Sequence, residues 1–217
     1  IHYAQFVART GSLPPVVYAT VDDGEATARV AFNPPLYYLI ASRVFAPSAP
    51  FVSPQVRYAP RGARGFPDAP RCGWSALRDL PTRLAFLRCL SILFGLVTVA
   101  ACWGLGRTVR PAEPALAAAM AWFPVAIPQF VSMSAAINNE GLAVALASLA
   151  TLLCARSAGG GRASTAGAAG ILLGAAAMAK VSALALAPAL FLAVARGPRG
   201  WMRAAALTMA TCCVAGP

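Results

Sequence analysis

Two ionisable residues stand out by where they sit. Lys180 is the only lysine, and it interrupts an otherwise apolar stretch, 165–195. Ionisable side chains at membrane depth are costly and mark function by default. A cation there suits a phosphate leaving group; a turn residue snorkelling its amine to the surface accounts for it equally well. Glu140 follows Asn138 and Asn139 at the start of another apolar run. A carboxylate at a helix N-terminus is favoured by the helix dipole, and either asparagine is a good N-cap, so a plain cap explains the cluster. The chemical reading is a polar cluster for an acceptor hydroxyl or a divalent metal, with Glu140 the candidate catalytic carboxylate. No metal ligand set can be named. Six cysteines occur without any CxxC pair, which argues against zinc. A Cys72–Cys89 disulfide and small buried thiols are both open, the thiols being the simpler reading.

The elements that position these residues follow from composition. Of 217 residues, 59% are hydrophobic and 12% charged, against about 25% charged in soluble domains. The mean hydropathy is +0.65. The expected fold is all-α, a polytopic transmembrane helix bundle in the lipid bilayer, truncated at both ends, since Ile1 is not Met and the last residues still read as apolar helix. The spans fall at about 84–106, 112–131, 134–155, 165–179, 181–195 and 203–217, within a transmembrane part covering 84–217. Residues 1–83 form a long, partly helical non-cytosolic loop. Its apolar stretch near 36–45 is shorter than the roughly 20 residues a span needs, so it lies at the interface.

Charge sets the topology. The formal net charge of +11 comes from arginines scattered between apolar runs, without the basic face of a nucleic-acid binder. Arg107 and Arg110, Arg156 and Arg162, and Arg196, Arg199 and Arg203 flank successive spans. Short cytosolic loops collect such residues. All three clusters share one side if 165–195 is two short spans turning near Lys180. The loop 1–83, Asn138–Glu140 and Lys180 then share the non-cytosolic face. Gly159–Gly160–Gly161 lacks the Lys-Ser/Thr ending of a phosphate-binding loop and reads as a turn. Arg88 reads as snorkelling, and Tyr37 and Tyr38 as interfacial aromatics.

Five motifs in order resemble one family. His2–Tyr3 with Thr10 to Pro14 resembles the segment after the acidic motif in the first outer loop of GT-C glycosyltransferases, the dolichyl-phosphate-mannose protein mannosyltransferase-like enzymes and their bacterial relatives. Asn33–Pro34–Pro35–Leu36–Tyr37–Tyr38 resembles their His-Pro-Pro-Leu-Tyr-Tyr motif. Leu87–Arg88–Cys89–Leu90–Ser91 resembles an Arg-Leu-Leu-Ser helix start. Pro128 to Ala135 with Asn138–Asn139–Glu140 resembles a Pro-x-Phe and Asn-Asn-Asp turn. Leu173–Gly174 and Met178–Ala179–Lys180 resemble a Gly-Leu-Leu-Thr-Lys turn. Asn33 and Glu140 depart from the family's His and Asp.

The resemblance implies a multi-pass cell-membrane glycosyltransferase that moves a sugar from a polyprenyl-phosphate donor on the non-cytosolic face. His2, Asn33, Tyr37, Tyr38, Asn138, Asn139 and Lys180 are then substrate-binding candidates. No cofactor is certain; a divalent metal is compatible. The alternative is a non-catalytic polytopic protein or transporter relative, which would show repeated halves and a helix broken at mid-membrane. The family's acidic pair is absent from the chain and would precede Ile1. The gene should therefore encode Asp or Glu shortly before Ile1, after an upstream span; codons showing no acidic residue there would move the base to Glu140 or favour the non-catalytic alternative.

Overall fold

A computed structural model describes residues 4, 7–8, 11, 34–43, 80–160, 162–196 and 200–215. His2, Asn33, Cys72 and Arg199 lie outside the described residues. The chain divides into two compact units, Ile1–Phe32 with Leu39–Phe86 and Asn33–Tyr38 with Leu87–Pro217.

In the first unit, Ala4 and Val7 are buried. Gly11 ends a helical turn there: its N–H donates to the Val7 carbonyl (2.9 Å) with φ 68°, the left-handed conformation that glycine enters without steric cost. Helix α1 (Leu36–Ser42), divided between the two units after Tyr38, starts directly after Pro34–Pro35, where neither proline leaves an N–H to satisfy. It stops at Ser42, short of Phe45, and the Ser42 hydroxyl donates to the Leu39 carbonyl at 2.7 Å.

The second unit is all helix among its described residues. Helix α2 (Leu80–Val109) has 30 residues, and its Leu84–Val109 stretch is long and apolar enough to cross a membrane. Helices α3 (Pro114–Val125) and α4 (Pro128–Ala135) bend by 66° at their junction. Pro128 causes the bend. It has no N–H, and it drives the preceding Ile127 to extended backbone (φ −91°, ψ 110°). Helix α5 (Glu140–Ala158), 19 residues, is the second helix long and apolar enough to span. The sequence reading ran one span to 131 and began the next at 134. Instead α4 covers 128–135, Ala136 is extended (φ −87°, ψ 148°), and the next helix starts at Glu140.

Helix α6 (Ala163–Ala179) returns antiparallel to α5, after a turn in which Gly160 adopts φ 104°. At Lys180 the chain reverses through a 3₁₀ turn (Val181–Leu186) into α7 (Ala187–Ala195). Helix α8 (Gly200–Ala215) then runs parallel to α6. Ala150 and Cys154 of α5, Ala169 and Leu173 of α6, Leu190 and Val194 of α7, and Ala204 and Leu207 of α8 form one buried core. Large apolar side chains also point outward, including Trp122, Phe123, Trp201 and Met209, each more than two-thirds exposed. In water such a surface would aggregate; it suits lipid tails. Cys154 is buried, but Cys89, Cys212 and Cys213 are exposed, so buried thiols describe only part of the set.

Lipid gives no hydrophobic drive between helices, so close backbone approach must hold them. The α6–α8 seam supplies it with Gly170 and Gly174, a Gly-xxx-Gly pair. A Cβ on Gly170 would collide with the Leu207 carbonyl; one on Gly174 would sit 2.7 Å from Val214 Cβ. The Thr211 hydroxyl lies 2.9 Å from the Leu207 carbonyl of its own helix and 3.2 Å from the Gly170 carbonyl across the seam.

This predicts an asymmetry among glycines on one helix. Gly170→Val should force the seam apart, at a cost of about 1–3 kcal/mol, and lower the melting midpoint in detergent by several degrees. A Cβ at Gly167 meets nothing within 4 Å, so Gly167→Ala should leave it unchanged or raise it slightly. Thermal unfolding of the purified variants checks both.

Candidate functional site

Four of the residues singled out by type, Asn138, Asn139, Glu140 and Lys180, meet at one end of the α5–α6 pair. Asn138 acts as the cap of α5: its side-chain oxygen accepts the backbone N–H groups of Glu140 (3.1 Å) and Gly141 (3.2 Å). Asn139 makes no cap bond to its own helix. Its Nδ2 donates across to the Ala179 carbonyl at 2.8 Å, satisfying an acceptor that the end of α6 would otherwise leave open. Glu140 Oε1 accepts from Lys180 Nζ at 2.5 Å. One asparagine thus starts α5, and the other ties that start to the end of α6.

The ion pair sits where two dipoles favour it. Glu140 is the first residue of α5, the positive end; Lys180 follows the last residue of α6, the negative end. The Lys180 backbone is fixed as well. Its N–H donates to the Ala176 carbonyl (2.8 Å), and its carbonyl accepts from Ala183 N–H (3.0 Å). The side chains of Lys180 and Glu140 remain 43% and 33% exposed. An ion pair this wet contributes at most about 1 kcal/mol. It orients the amine without locking it.

A second group adjoins this end. Ser91 of α2 is buried and donates its hydroxyl to the Leu87 carbonyl at 3.1 Å. A Cβ at Gly141 would lie 4.0 Å from the Ser91 carbonyl and 3.9 Å from Phe94 Cβ, so α2 passes close beside the start of α5. Tyr37 packs toward Ser91 and meets the Tyr38 ring edge-on (5.5 Å, 82°). Both tyrosines are buried rather than spread at an exposed interface, at 3% and 8%. The Tyr37 hydroxyl has no well-formed hydrogen bond. Burial raises the Tyr37 phenol above its ordinary value; nearby Ser91 opposes the shift and Tyr38 adds to it. The phenol is therefore protonated at neutral pH and available as a donor. Arg88 is exposed one turn before Ser91.

The opposite end is basic. Gly104 of α2 lies against Leu152 and Arg156 of α5. Arg107 and Arg110 follow on α2, Arg162 and Arg196 lie next to the α5–α6 turn and the α7 end, and Arg110 pairs with Glu113 at 3.0 Å. Arg203 differs from these flanking arginines. It is 7% exposed, and its guanidinium donates to the Ser157 carbonyl in the last turn of α5. Sequence reasoning counted it with the solvated arginines. Its position one turn inside α8 was the available signal. Ser91 stood inside a quoted motif but was given no role.

Among the described residues, no three His, Cys, Asp or Glu side chains gather as metal ligands. Glu113 and Glu140 are the only acidic residues described. The arrangement therefore offers an oriented ammonium, a carboxylate already engaged by it, and a buried phenol.

Apolar helices whose charged side chains, among the described residues, gather toward the helix ends define a membrane-embedded helical protein. The sequence pattern of the dolichyl-phosphate-mannose-protein mannosyltransferase family matches residues 82–215, and the chain belongs to that family of membrane glycosyltransferases. Comparison with curated proteins and with solved structures found no match. Asn138, Asn139, Glu140 and Lys180 fall within the matched span, whereas His2, Asn33, Tyr37 and Tyr38 precede it.

The capping geometry separates the two asparagines experimentally. Asn138→Ala should cost about 1 kcal/mol of stability through the lost cap, while Asn138→Asp, which keeps the acceptor and suits the helix dipole, should retain it. Parallel detergent melts of the two variants test this; equal losses would show that the side chain is not a cap.

Proposed function

We propose that the Lys180 end of the bundle is the non-cytosolic, substrate-handling end of a cell-membrane glycosyltransferase, and that Lys180 meets the phosphate of a polyprenyl-phosphate-linked sugar. One observation carries this reading: the lone lysine is half-exposed, held by Glu140 and backbone bonds, and set at the opposite end from Arg107, Arg110, Arg156, Arg162 and Arg196. The positive-inside rule supports the cytosol for the arginine end. In this reading α6 and α7 are two short crossings joined at Lys180, and the loop 1–83 lies on the outer side.

The chemistry follows. The bond between the sugar's anomeric carbon and the phosphate oxygen breaks, and its electron pair stays on the phosphate. The acceptor oxygen bonds to that carbon, and its proton passes to a carboxylate. A fixed cation stabilises the charge that develops on the phosphate. Lys180 fills this role. Tyr37, protonated and buried beside Ser91, is a donor for a substrate oxygen, and Tyr38 holds its ring. His2 and Asn33 are substrate-binding candidates by the motif resemblance alone. Glu140 is engaged by Lys180, which favours an acidic residue preceding Ile1 as the base.

Lys180→Ala should lower sugar transfer by the full-length protein at least about tenfold, the scale of one lost electrostatic contact, with the membrane level unchanged. Lys180→Arg should keep part of the activity, since the charge remains while the geometry differs. Transfer assays on membranes normalised for protein decide the matter. Wild-type turnover by Lys180→Ala would reduce the residue to a topological anchor.

A further inference from the structure

We propose that Glu140 sets the charge that the phosphate meets, so that the spent polyprenyl phosphate is held no more tightly than the donor. This rests on the reading of Lys180 as the phosphate-facing cation. A lysine alone presents a full positive charge. Paired with Glu140 Oε1 at 2.5 Å, it forms a unit of zero net charge, with two ammonium protons still unused. Both side chains keep access to water, so an incoming phosphate meets both charges.

The two ligands differ in charge. The donor phosphate is a diester with one negative charge. Once the anomeric carbon–oxygen bond has broken, the product is a monoester. With a second ionisation near pH 6, it carries close to two charges at neutral pH. A bare lysine would hold the product more tightly than the donor, and turnover would stall on release. The carboxylate beside it repels the dianion about twice as strongly as the monoanion, because Coulomb repulsion scales with charge. Glu140 thus acts through Lys180 as a positioning and discharging residue. Among the described residues no other carboxylate shares this end, Glu113 being paired with Arg110 at the opposite one.

The test measures equilibrium binding of two probes to the purified full-length protein at pH 7.5: a polyprenyl phosphate, and its methyl phosphodiester as the singly charged counterpart. Glu140→Gln should tighten monoester binding roughly two- to five-fold, the scale of a solvated ion pair, and tighten diester binding less. Steady-state turnover by Glu140→Gln should fall more than single-turnover transfer, because release of the monoester then limits the rate, whereas a catalytic base replaced by its amide would lose the single-turnover step. Glu140→Asp, which keeps the charge, should bind both probes as the wild type does. Glu140→Asn, well suited to a helix start, is the neutral variant to use if Gln fails to accumulate. A monoester-to-diester ratio unchanged in the neutral variant, or shifted equally in Glu140→Asp, would overturn the proposal. Lys180→Ala separates the two levels. If it weakens neither probe, the phosphate reading itself fails; if it weakens both while the neutral variants leave the ratio untouched, only the role of Glu140 falls.

Discussion

Everything at the polar end depends on α5 and α6 lying antiparallel. Only then does the positive end of one helix stand beside the negative end of the other. The hairpin is enforced at both extremities. At one, the glycine turn reverses the chain, with Gly160 in a conformation that other residues resist. At the other, Asn139 bonds to the last carbonyl of α6, and Glu140 bonds to the residue that follows it. Neither contact is strong in water. Together they fix the register of two helices whose facing residues are mostly alanine and cannot specify it by shape.

That alanine-rich interior has a price in volume. Small side chains bury little apolar area, and in lipid apolar area gives no advantage over contact with acyl chains. What remains is close packing and polar contact between backbones. The α6–α8 seam uses both, through two glycines and the Thr211 hydroxyl. The same logic explains Arg203. Its guanidinium is costly to bury, yet the carbonyl of buried Ser157 in the last turn of α5 needs a donor.

The fold was largely legible from sequence because membrane helices announce themselves by composition: a stretch such as Leu84–Val109 has no competing interpretation. The family was legible through ordered motifs. Boundaries were less so. One helix ends at Val125, and Pro128 begins another that runs to Ala135, past the expected span end at 131. Hydropathy cannot see this, since both assignments are equally apolar. At the candidate site, the sequence offered Asn138, Asn139, Glu140 and Lys180 as separate suspects. Forty residues divide Asn139 from Ala179 and Glu140 from Lys180, so their contacts are tertiary, with no local periodicity to reveal them. Arg203 failed for a related reason: burial of an arginine depends on which carbonyl waits for it.

The length of α6 carries a consequence for the lipid itself. Its 17 residues rise about 26 Å, less than the roughly 30 Å of a typical hydrocarbon layer. In the proposed topology, with Arg162 among the headgroups of one leaflet, the last residue of α6 ends some ångströms short of the opposite ones. Either the bilayer dimples there or water fills a recess above it. In that topology, a lipid-borne phosphate that reached Lys180 would sink below its neighbours, drawing its polar cargo toward the hydrocarbon and leaving part of its hydration behind.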